Sequence, residues 1–358
     1  MTKEKIPIWL DCDPGHDDAI AILLSCFHPA FKLVGISACY GNASPNNTHY
    51  NARSILTAIG KANDIPVLNG AQQPWKRLPI YAPDIHGESG LDGTTLLPVP
   101  IGDINNDSYI DYIEEKIEEN EGELFISTGS LTSIATVLKE KPHLKKKLKY
   151  LAIMGGGLSV GNINENKSAE FNIWVDPDSA NFLFTDEVIK NKCIVTPLDL
   201  THKAIATQEV MENILGTSGS NLRRLFYELF LYFGNSYKNA QGFETGPPIH
   251  DPLALIPLLV LYGWEPDMVI QYVYKRVDLK VIVDENDADI GKLVILKEYD
   301  ANDSHGTVVG IDLNYKYFWT QVYLGIAEAE KLSTIELIAK DVVRKELMQE
   351  ELSNDDIV

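Results

Sequence analysis

Four aspartates fall within eight residues near the start of the chain: Asp11-Cys12-Asp13-Pro14-Gly15-His16-Asp17-Asp18. Asp11 and Asp13 alternate along a predicted strand and would share one face. Asp17 and Asp18 would open the next helix, where either alone could be an ordinary cap. Four carboxylates together repel one another unless some are protonated or a cation binds them. An all-oxygen set without a neighbouring Cys–His pair suits Ca²⁺ or Mg²⁺ better than zinc.

Two further polar segments come later: Ala169-Glu170-Phe171-Asn172 and His250-Asp251-Pro252. Glu170 and Asn172 alternate, so both side chains can face one pocket. Asp251 precedes an apolar helix predicted over Leu253–Tyr262, so on its own it could be an N-cap. Neither segment identifies a function by itself.

The elements that would position these residues alternate between strand and helix in the first half of the chain. The predicted strands are Ile6–Asp13, Lys32–Tyr40, Ile65–Leu68, Leu124–Thr128, Tyr150–Met154 and Cys193–Leu200. The predicted helices are Asp17–Phe27, Asn46–Gly60, Tyr109–Glu119, Leu131–Lys139 and Asp178–Phe184. This alternation predicts an α/β domain with a mostly parallel, Rossmann-like sheet flanked by helices.

In such a sheet, ligands bind at the carboxyl ends of the strands. Several of those ends carry polar or glycine segments: Gly41-Asn42, Thr128-Gly129, Met154-Gly155-Gly156-Gly157 and Asp199-Leu200-Thr201-His202. We therefore expect them to meet the early aspartates along one edge of the sheet.

The second half reads as mainly helical over Gln208–Tyr262, then as strands over Val269–Val283, Lys292–Lys297 and Gly306–Leu313 and a helix over Phe318–Lys331. The long polar segment Ala71–Asp107 shows little periodicity and is expected to close over a substrate, together with the aromatic stretch Phe226–Phe243. We predict one domain over residues 1–335 and a charged tail over 336–358, helical or loosely ordered.

The amino-acid composition limits the classes of partner that the protein can bind. Asp and Glu number 51 against 31 Lys and Arg, a formal charge of -20. Such a surface repels phosphate backbones and anionic lipid, so we expect neither a nucleic-acid nor a membrane partner. The N-terminus has no secretory pattern, and the longest apolar stretch, Pro252–Trp264, is too short to span a bilayer. The four scattered cysteines are typical of free buried thiols, which favours the cytoplasm.

The early segment Asp11–Ala19 resembles the DxDxGxDDA signature of the nucleoside hydrolases. Other matches follow in the right order: Gly41-Asn42, His86-Gly87-Glu88-Ser89-Gly90, Thr128-Gly129-Ser130-Leu131-Thr132, Met154 with its three glycines, Ala169–Asn172 and His250-Asp251-Pro252. The likeness runs from Ile6 to about Lys331. It is closest to the inosine–uridine or uridine branch, because His86 lies in the His-Gly-Glu-Ser-Gly loop.

The resemblance implies a Ca²⁺-dependent enzyme of nucleoside salvage that hydrolyses the N-glycosidic bond between ribose and nucleobase. Asp13, Asp18, the Thr128 carbonyl and Asp251 would bind Ca²⁺ together with the ribose 2′- and 3′-hydroxyls and a water. Asp13 would also be the general base. We expect uridine as the preferred substrate, inosine second and cytidine possible, and a homodimer or homotetramer.

The resemblance also implies substrate contacts. Asp17 and Asn42 would hold the 2′-hydroxyl side of the ribose, with Asn42 counted among the catalytic residues. Glu170, Asn172 and an asparagine of the preceding loop would hold the 5′-hydroxyl side. Two extra residues separate that loop from Glu170, so Asn162 is the best match and Asn164 the alternative. Met154 is expected to contact the substrate too.

Two histidines would face the nucleobase: His250, the usual candidate for protonating the leaving group, and His86. A histidine with a pKa near neutrality can donate such a proton. Tyr237, Gln241 and Phe243 are candidates for base contact, whereas a core-packing role is equally open for the helical stripe Phe226, Phe230 and Phe233.

The chemistry is coherent. Cleavage of the ribosyl bond develops positive charge at the anomeric carbon, which a carboxylate-rich floor beneath the ribose would stabilise.

Two alternative functions compete with this hypothesis. A haloacid-dehalogenase-type phosphatase would explain Asp11-Cys12-Asp13 after a strand, but it needs a lysine and a late acidic pair where the fifth strand ends in glycines. A calcium-dependent nucleoside-binding protein without catalysis would keep the metal ligands and lose the base or acid, yet Asp13, His86 and His250 are all present.

Overall fold

A nine-stranded sheet forms the centre of the computed structural model, which describes residues 3–102, 104–120 and 124–335. Its strands are β1 (Ile6–Cys12), β2 (Phe31–Ala38), β3 (Val67–Asn69), β4 (Leu124–Ser127), β5 (Tyr150–Met154), β6 (Cys193–Thr196), β7 (Val273–Val281), β8 (Leu293–Tyr299) and β9 (Thr307–Asp312). Their spatial order is β3-β2-β1-β4-β5-β6-β9-β7-β8. The predicted α/β class and mostly parallel sheet are confirmed.

The order of the strands fixes where a ligand can bind. From β1 the chain first builds outward through β2 and β3, then crosses to β4 on the other side of β1. β1 therefore pairs in parallel with both neighbours, and its Asp11 lies opposite Ser37 and Ser127. A reversal of this kind opens a crevice outside the carboxyl ends of the two central strands. The aspartate segment follows β1 directly into that crevice.

Helices cover both faces of the sheet. They are α1 (Asp18–Phe27), α2 (Pro45–Ala58), α3 (Pro83–His86), α4 (Tyr109–Glu119), α5 (Thr132–Glu140), α6 (Leu144–Lys147), α7 (Phe171–Val175), α8 (Pro177–Thr185), α9 (Leu198–Thr201), α10 (Gln208–Leu215), α11 (Asn221–Gln241), α12 (Ile256–Leu261), α13 (Asp267–Ile270) and α14 (Tyr315–Glu330). Two 3₁₀ helices span Ile189–Asn191 and Asp251–Leu255. None of the described helices is long and apolar enough to cross a membrane.

Two predicted elements differ from the structure because of local chemistry. The sixth strand ends at Thr196 rather than Leu200, since Pro197 has no N–H for the ladder and α9 begins directly after it. The apolar helix expected from Leu253 begins earlier, as the 3₁₀ helix at Asp251. The long segment over residues 71–107 is largely irregular, as expected, apart from α3.

The last three strands add an antiparallel portion to the sheet. β7 pairs antiparallel with both β8 and β9, while β9 continues the parallel part beside β6. The first of these strands begins at Val273 instead of Val269, because α13 occupies the preceding residues. The tail predicted over 336–358 lies outside the described residues, so the boundary at 335 stays a prediction.

Helix α1 carries the aspartates into the core. Its apolar side chains are buried almost completely, including Ile20, Ile22 and Leu23. It packs against α14 and against the 3₁₀ helix that begins at Asp251. Two segments distant in sequence are thereby fixed side by side at the crevice.

Candidate active site

A cavity of about 310 Å³ opens at the carboxyl ends of the parallel strands. That volume suits a small organic molecule. Its walls include the polar side chains of Asp17, Asn42, His86, Thr128, Asn162, Glu170, Asn172, Tyr237, Gln241, His250 and Asp251, together with Met154. All of these were predicted from the sequence, and the fold brings them together.

Three carboxylates come together beside this cavity, and two of them, those of Asp17 and Asp251, line it. One oxygen from each of Asp17, Asp18 and Asp251 lies within 4.8 Å of the others, and all three residues are buried. Burial, followed by the charge of Asp17, raises the pKa of Asp251 well above its ordinary value. Close, buried carboxylates of this kind are stable as anions only with a cation among them.

Asp17 has a partner that no local pattern indicates. It occupies the N-cap position of α1, yet its side chain makes no capping hydrogen bond. Its carboxylate instead accepts hydrogen bonds from the backbone N–H groups of His250, at 3.1 Å, and Asp251, at 3.4 Å. Burial and the charge of Asp18 raise the pKa of Asp17 to about 7. The ordinary capping role considered for Asp17 is therefore wrong.

Asp13 lies just beyond the end of β1, wedged against two backbone segments. Its Oδ2 accepts the backbone N–H of Asn42 at 2.7 Å, whereas its buried Oδ1 has no hydrogen-bond partner among the described residues. A Cβ at Gly129 would lie only 2.7 Å from that Oδ1, so a glycine is needed there. Burial and then the charge of Asp18 raise the pKa of Asp13.

Asp18 is the most heavily bonded member of the group. Its oxygens accept from the backbone N–H of Gly15 at 2.9 Å, the Thr128 hydroxyl at 2.9 Å and the Asn42 amide at 3.1 Å. These donors partly offset the burial that raises its pKa. Asp11, Asp13 and Asp18 do not themselves line the cavity, and the Asp11 carboxylate accepts from the Ser37 hydroxyl inside the sheet.

The opposite wall is organised by the start of α7. Glu170 caps this helix by accepting from the backbone N–H groups of Asn172, at 2.9 Å, and Ile173, at 3.2 Å, and it also accepts from Gly156 at 2.8 Å. Burial raises the pKa of Glu170 to about 7. The Asn172 amide donates to the Thr128 carbonyl at 2.7 Å. Glu170 and Asn172 share the pocket through a helix start rather than through strand alternation.

His250 is held from both sides. Its Nδ1 lies 2.7 Å from the Thr201 hydroxyl and its Nε2 lies 2.8 Å from the Tyr237 hydroxyl. Burial lowers the pKa of His250 well below its usual range, and the nearby His202 lowers it further. The lowered pKa favours the neutral imidazole, and the two contacts fix its orientation beside Asp251.

His86 ends α3 and packs against His16, a residue for which the sequence predicted no role. Their Nδ1 atoms are 3.2 Å apart, and the other ring nitrogen of His16 is 2.9 Å from the Asp92 carbonyl oxygen. Burial lowers the pKa of His16 to about 4. No pattern in the sequence indicated a role for His16, because a sequence does not show in which direction the side chain of a turn residue points.

Some predicted side chains lie outside the cavity. Asn164 donates to the Ile290 carbonyl at 2.9 Å and Asn166 to Asp289 at 2.9 Å, whereas Asn162 lines the pocket. Phe243 packs against Tyr237 without lining the cavity. The stripe of Phe226, Phe230 and Phe233 is buried core. The pocket also contains apolar residues that the sequence did not single out: Ile80, Tyr81, Ile85, Phe171 and Trp174.

Comparisons with known proteins identify the family of the chain. The family model for inosine-uridine preferring nucleoside hydrolases matches residues 8–320. The chain is 60% identical to a uridine nucleosidase of Saccharomyces cerevisiae over 339 residues, covering 94% of this chain and 100% of that protein. It is 37% identical to a pyrimidine-specific ribonucleoside hydrolase of Citrobacter koseri over 255 residues, covering 71% of this chain and 79% of that protein.

Solved structures show the same fold. A purine-preferring ribonucleoside hydrolase from Gardnerella vaginalis superposes with a TM-score of 0.77 at 22% identity, covering 91% of this chain and 100% of that one. An inosine-uridine preferring nucleoside hydrolase from Bacillus anthracis gives 0.70 at 19% identity, covering 91% and 99%. Neither the phosphatase nor the non-catalytic alternative is supported by these relatives. The chain belongs to the inosine-uridine preferring nucleoside hydrolase family and is an enzyme that hydrolyses the N-ribosyl bond of nucleosides.

Proposed function

We propose that this enzyme is a Ca²⁺-dependent uridine nucleosidase that also accepts inosine or cytidine. The observation that carries this proposal is the convergence of Asp17, Asp18 and Asp251 beside a cavity of about 310 Å³ that Asp17 and Asp251 line. The name of the yeast relative, a uridine nucleosidase at 60% identity, supports the choice of base.

The residues fit a hard divalent cation. The unpartnered Oδ1 of Asp13, the carboxylates of Asp18 and Asp251 and the Thr128 carbonyl offer only oxygen, the donor that Ca²⁺ prefers. The sequence predicted Asp13, Asp18 and Asp251 as the acidic ligands, whereas the three carboxylates that lie closest together are those of Asp17, Asp18 and Asp251. Asp13 is still near this cluster, because the charge of Asp18 raises the pKa of Asp13 and the charge of Asp13 raises the pKa of Asp251. When bound, Ca²⁺ would keep these carboxylates ionised and lower the pKa of a water at the site.

On the ribose side of the pocket, the protein supplies a general base and side chains that would bind the ribose hydroxyls. Asp13 is our general base, because its carboxylate lies close enough to Asp18 for their charges to interact and would take a proton from a water held at the cation. Asp17 and Asn42 would hold the 2′-hydroxyl side of the ribose, while Glu170, Asn172 and Asn162 would hold the 5′-hydroxyl side. Negative charge beneath the ribose stabilises the positive charge that develops at the anomeric carbon.

On the base side, His250 is our candidate for protonating the departing nucleobase. Hydrogen bonds at both ring nitrogens fix its orientation, and both His250 and Tyr237 line the pocket. Tyr237 and Gln241 come from the same face of α11 and would contact the base, with Met154 below the sugar. The apolar wall of Ile80, Tyr81 and Trp174 would exclude water around it.

Incubation of the purified protein with uridine, inosine, cytidine and adenosine tests this proposal. With Ca²⁺ present, free base and ribose should appear fastest from uridine. Activity should disappear on chelation and return with added Ca²⁺. No base release from any of the four nucleosides would contradict the proposed activity, and unchanged release in chelator would contradict the metal requirement.

We further propose that the enzyme works in the cytoplasm, in nucleoside salvage, as a homodimer or homotetramer. All four cysteines are free in the structure, which fits a reducing compartment. Size-exclusion chromatography with light scattering would determine the assembly, and a monomer would contradict that part of the proposal.

A further inference from the structure

We propose that His16 is a positioning residue that holds His86 with its hydrogen on Nδ1, so that the bare Nε2 of His86 faces the pocket as an acceptor for a ring N–H of the nucleobase. The inference rests on the proposed function, because it assumes that a nucleobase lies against His86. Its observations are the two polar contacts of the His16 ring, which outweigh a longer contact from the His16 backbone N–H that would favour a bare Nδ1 on His86.

The chain of hydrogen bonds begins at Asp92. Its backbone carbonyl can only accept, so the His16 Nε2 that lies 2.9 Å away must carry the hydrogen. A neutral imidazole has one N–H, which leaves the Nδ1 of His16 as an acceptor. That atom is 3.2 Å from the Nδ1 of His86. The hydrogen between the two rings therefore belongs to His86.

The opposite assignment is unfavourable. Without a hydrogen on His86 Nδ1, two lone pairs would face each other across 3.2 Å. The backbone N–H of His16 also points at this atom, but at 3.4 Å it is the weaker contact. The ring-to-ring hydrogen bond decides the tautomer.

The surroundings hold both rings in this arrangement. His16 lies parallel to the rings of Tyr232 and Phe233, at interplanar angles of 4° and 3°. A Cβ at Gly15 would lie 2.6 Å from Cε1 of His86, so only glycine admits the ring this close to the backbone. Within the described part of the chain, Nε2 of His86 has no hydrogen-bond partner, and His86 lines the cavity.

The consequence is a preference among bases. Uracil and hypoxanthine carry a ring N–H, whereas cytosine and adenine carry a lone pair at the corresponding ring nitrogen. A bare Nε2 on His86 accepts a hydrogen bond from the ring N–H of uracil or hypoxanthine. The same atom repels the lone pair that cytosine or adenine presents at that position. It also follows that His86, in this tautomer, holds the base while the proton for the leaving group must come from elsewhere.

Nitrogen-15 NMR of the histidine-labelled, Ca²⁺-loaded protein tests the tautomer directly, because protonated and bare ring nitrogens resonate far apart. A His86→Asn sample assigns the signals. We expect a protonated Nδ1 and a bare Nε2 in the wild-type His86, and loss of this single tautomer in His16→Phe, which keeps the ring stacking but removes the acceptor. A bare Nδ1 in the wild-type protein would overturn the proposal, whether or not the enzyme cleaves uridine.

Kinetics give an independent readout. Loss of one neutral hydrogen bond to the base is worth roughly threefold to tenfold, so His16→Phe should lower the kcat/KM ratio of uridine to cytidine by that factor. His28→Phe, at a buried histidine outside the pocket, is the matched control and should leave the ratio unchanged. Equal losses for both substrates in His16→Phe would show a merely structural role and overturn the proposal. If wild-type protein releases no base at all, the proposed function fails, and the NMR result still decides the tautomer.

Discussion

The carboxylate of Asp17 accepts a hydrogen bond from the backbone N–H of His250, 233 residues further along the chain. This contact joins the start of α1 to the 3₁₀ helix that carries Asp251. The same carboxylate lies in the acidic cluster, so one side chain both aligns the candidate acid and shapes the candidate metal site.

Replacement of this carboxylate by an amide separates the two roles. Asp17→Asn keeps an oxygen that can accept the His250 N–H, so the fold should persist. It removes the charge that would bind a ribose hydroxyl, and hydrogen bonds to charged groups are worth about 1.5–3 kcal/mol. We therefore expect kcat/KM for uridine to fall at least about tenfold, measured by base release. Wild-type activity in this variant would show that Asp17 does not touch the sugar.

Calcium should stabilise the folded protein through the acidic cluster. At a hundredfold excess over its Kd, a bound ligand adds about 2.7 kcal/mol to the free energy of unfolding, so the melting temperature should rise on adding Ca²⁺. Asp251→Asn should lose most of that rise. Asp287→Asn, on an exposed loop, is the matched control and should keep it. An identical Ca²⁺ response in Asp251→Asn would place the ion elsewhere.

The calcium effect should depend on pH. Without metal, the folded-state pKa of Asp17 is raised from 3.8 to about 7, so its favourable contribution to folding is present at low pH and lost as pH rises through 7. Ca²⁺ binds the ionised carboxylates and displaces their protons. The rise in melting temperature caused by Ca²⁺ should thus be larger at about pH 7.5 than at about pH 5.5. A rise that is larger at the lower pH would contradict a carboxylate site.

Glu170 offers a test of sugar recognition. Glu170→Gln retains one oxygen to cap α7 but loses the charge, so we expect a modest loss of stability and a clear rise in KM for uridine. If Glu170 holds the 5′-hydroxyl, 5′-deoxyuridine should be a poor substrate of the wild-type enzyme, and the variant should distinguish the two substrates far less. Undiminished discrimination would assign the 5′-hydroxyl to other residues.

His250 can be tested with a substrate that needs no acid. Proton transfer by a positioned side chain contributes about 10²–10⁴-fold, so His250→Ala should lower kcat for uridine by that order. For 4-nitrophenyl riboside, whose leaving group departs without a proton, the loss should be only a few-fold. His202→Ala, whose ring centroid lies 5.6 Å from that of His250 but outside the cavity, serves as the control. Equal losses on both substrates would rule out an acid role.

Much of the fold was predictable from local patterns. Strands such as Tyr150–Met154 are apolar runs of the right length, and their polar ends marked the edge where the pocket forms. Contacts between distant segments were not accessible in this way. Nothing in the residues around Asp17 indicates a bond to His250, because that bond depends on how α1 packs against the rest of the chain.

In the candidate site, too, some features were predictable from the sequence and others depended on the fold. Residue types and the family resemblance indicated nearly every polar residue of the pocket. The direction of individual side chains decided the rest: Asn164 turns toward Ile290, and His16 turns toward His86. Asp17 joins Asp18 and Asp251 because the chain turns at His16 and Asp17 before α1 begins, and a strand-alternation argument does not include that turn.

The pairing of α1 with the 3₁₀ helix at Asp251 also bears on how the protein matures. A chain emerging from the ribosome presents Asp17 and Asp18 long before Asp251, which follows Asp17 by 234 positions. Because Ca²⁺ takes about six to eight oxygen ligands, two adjacent carboxylates would bind it poorly, so the proposed ion would enter only after most of the polypeptide has been made and folded. Binding of the proposed Ca²⁺ would then report completed folding, and a truncated product that stops short of this 3₁₀ helix would not bind it.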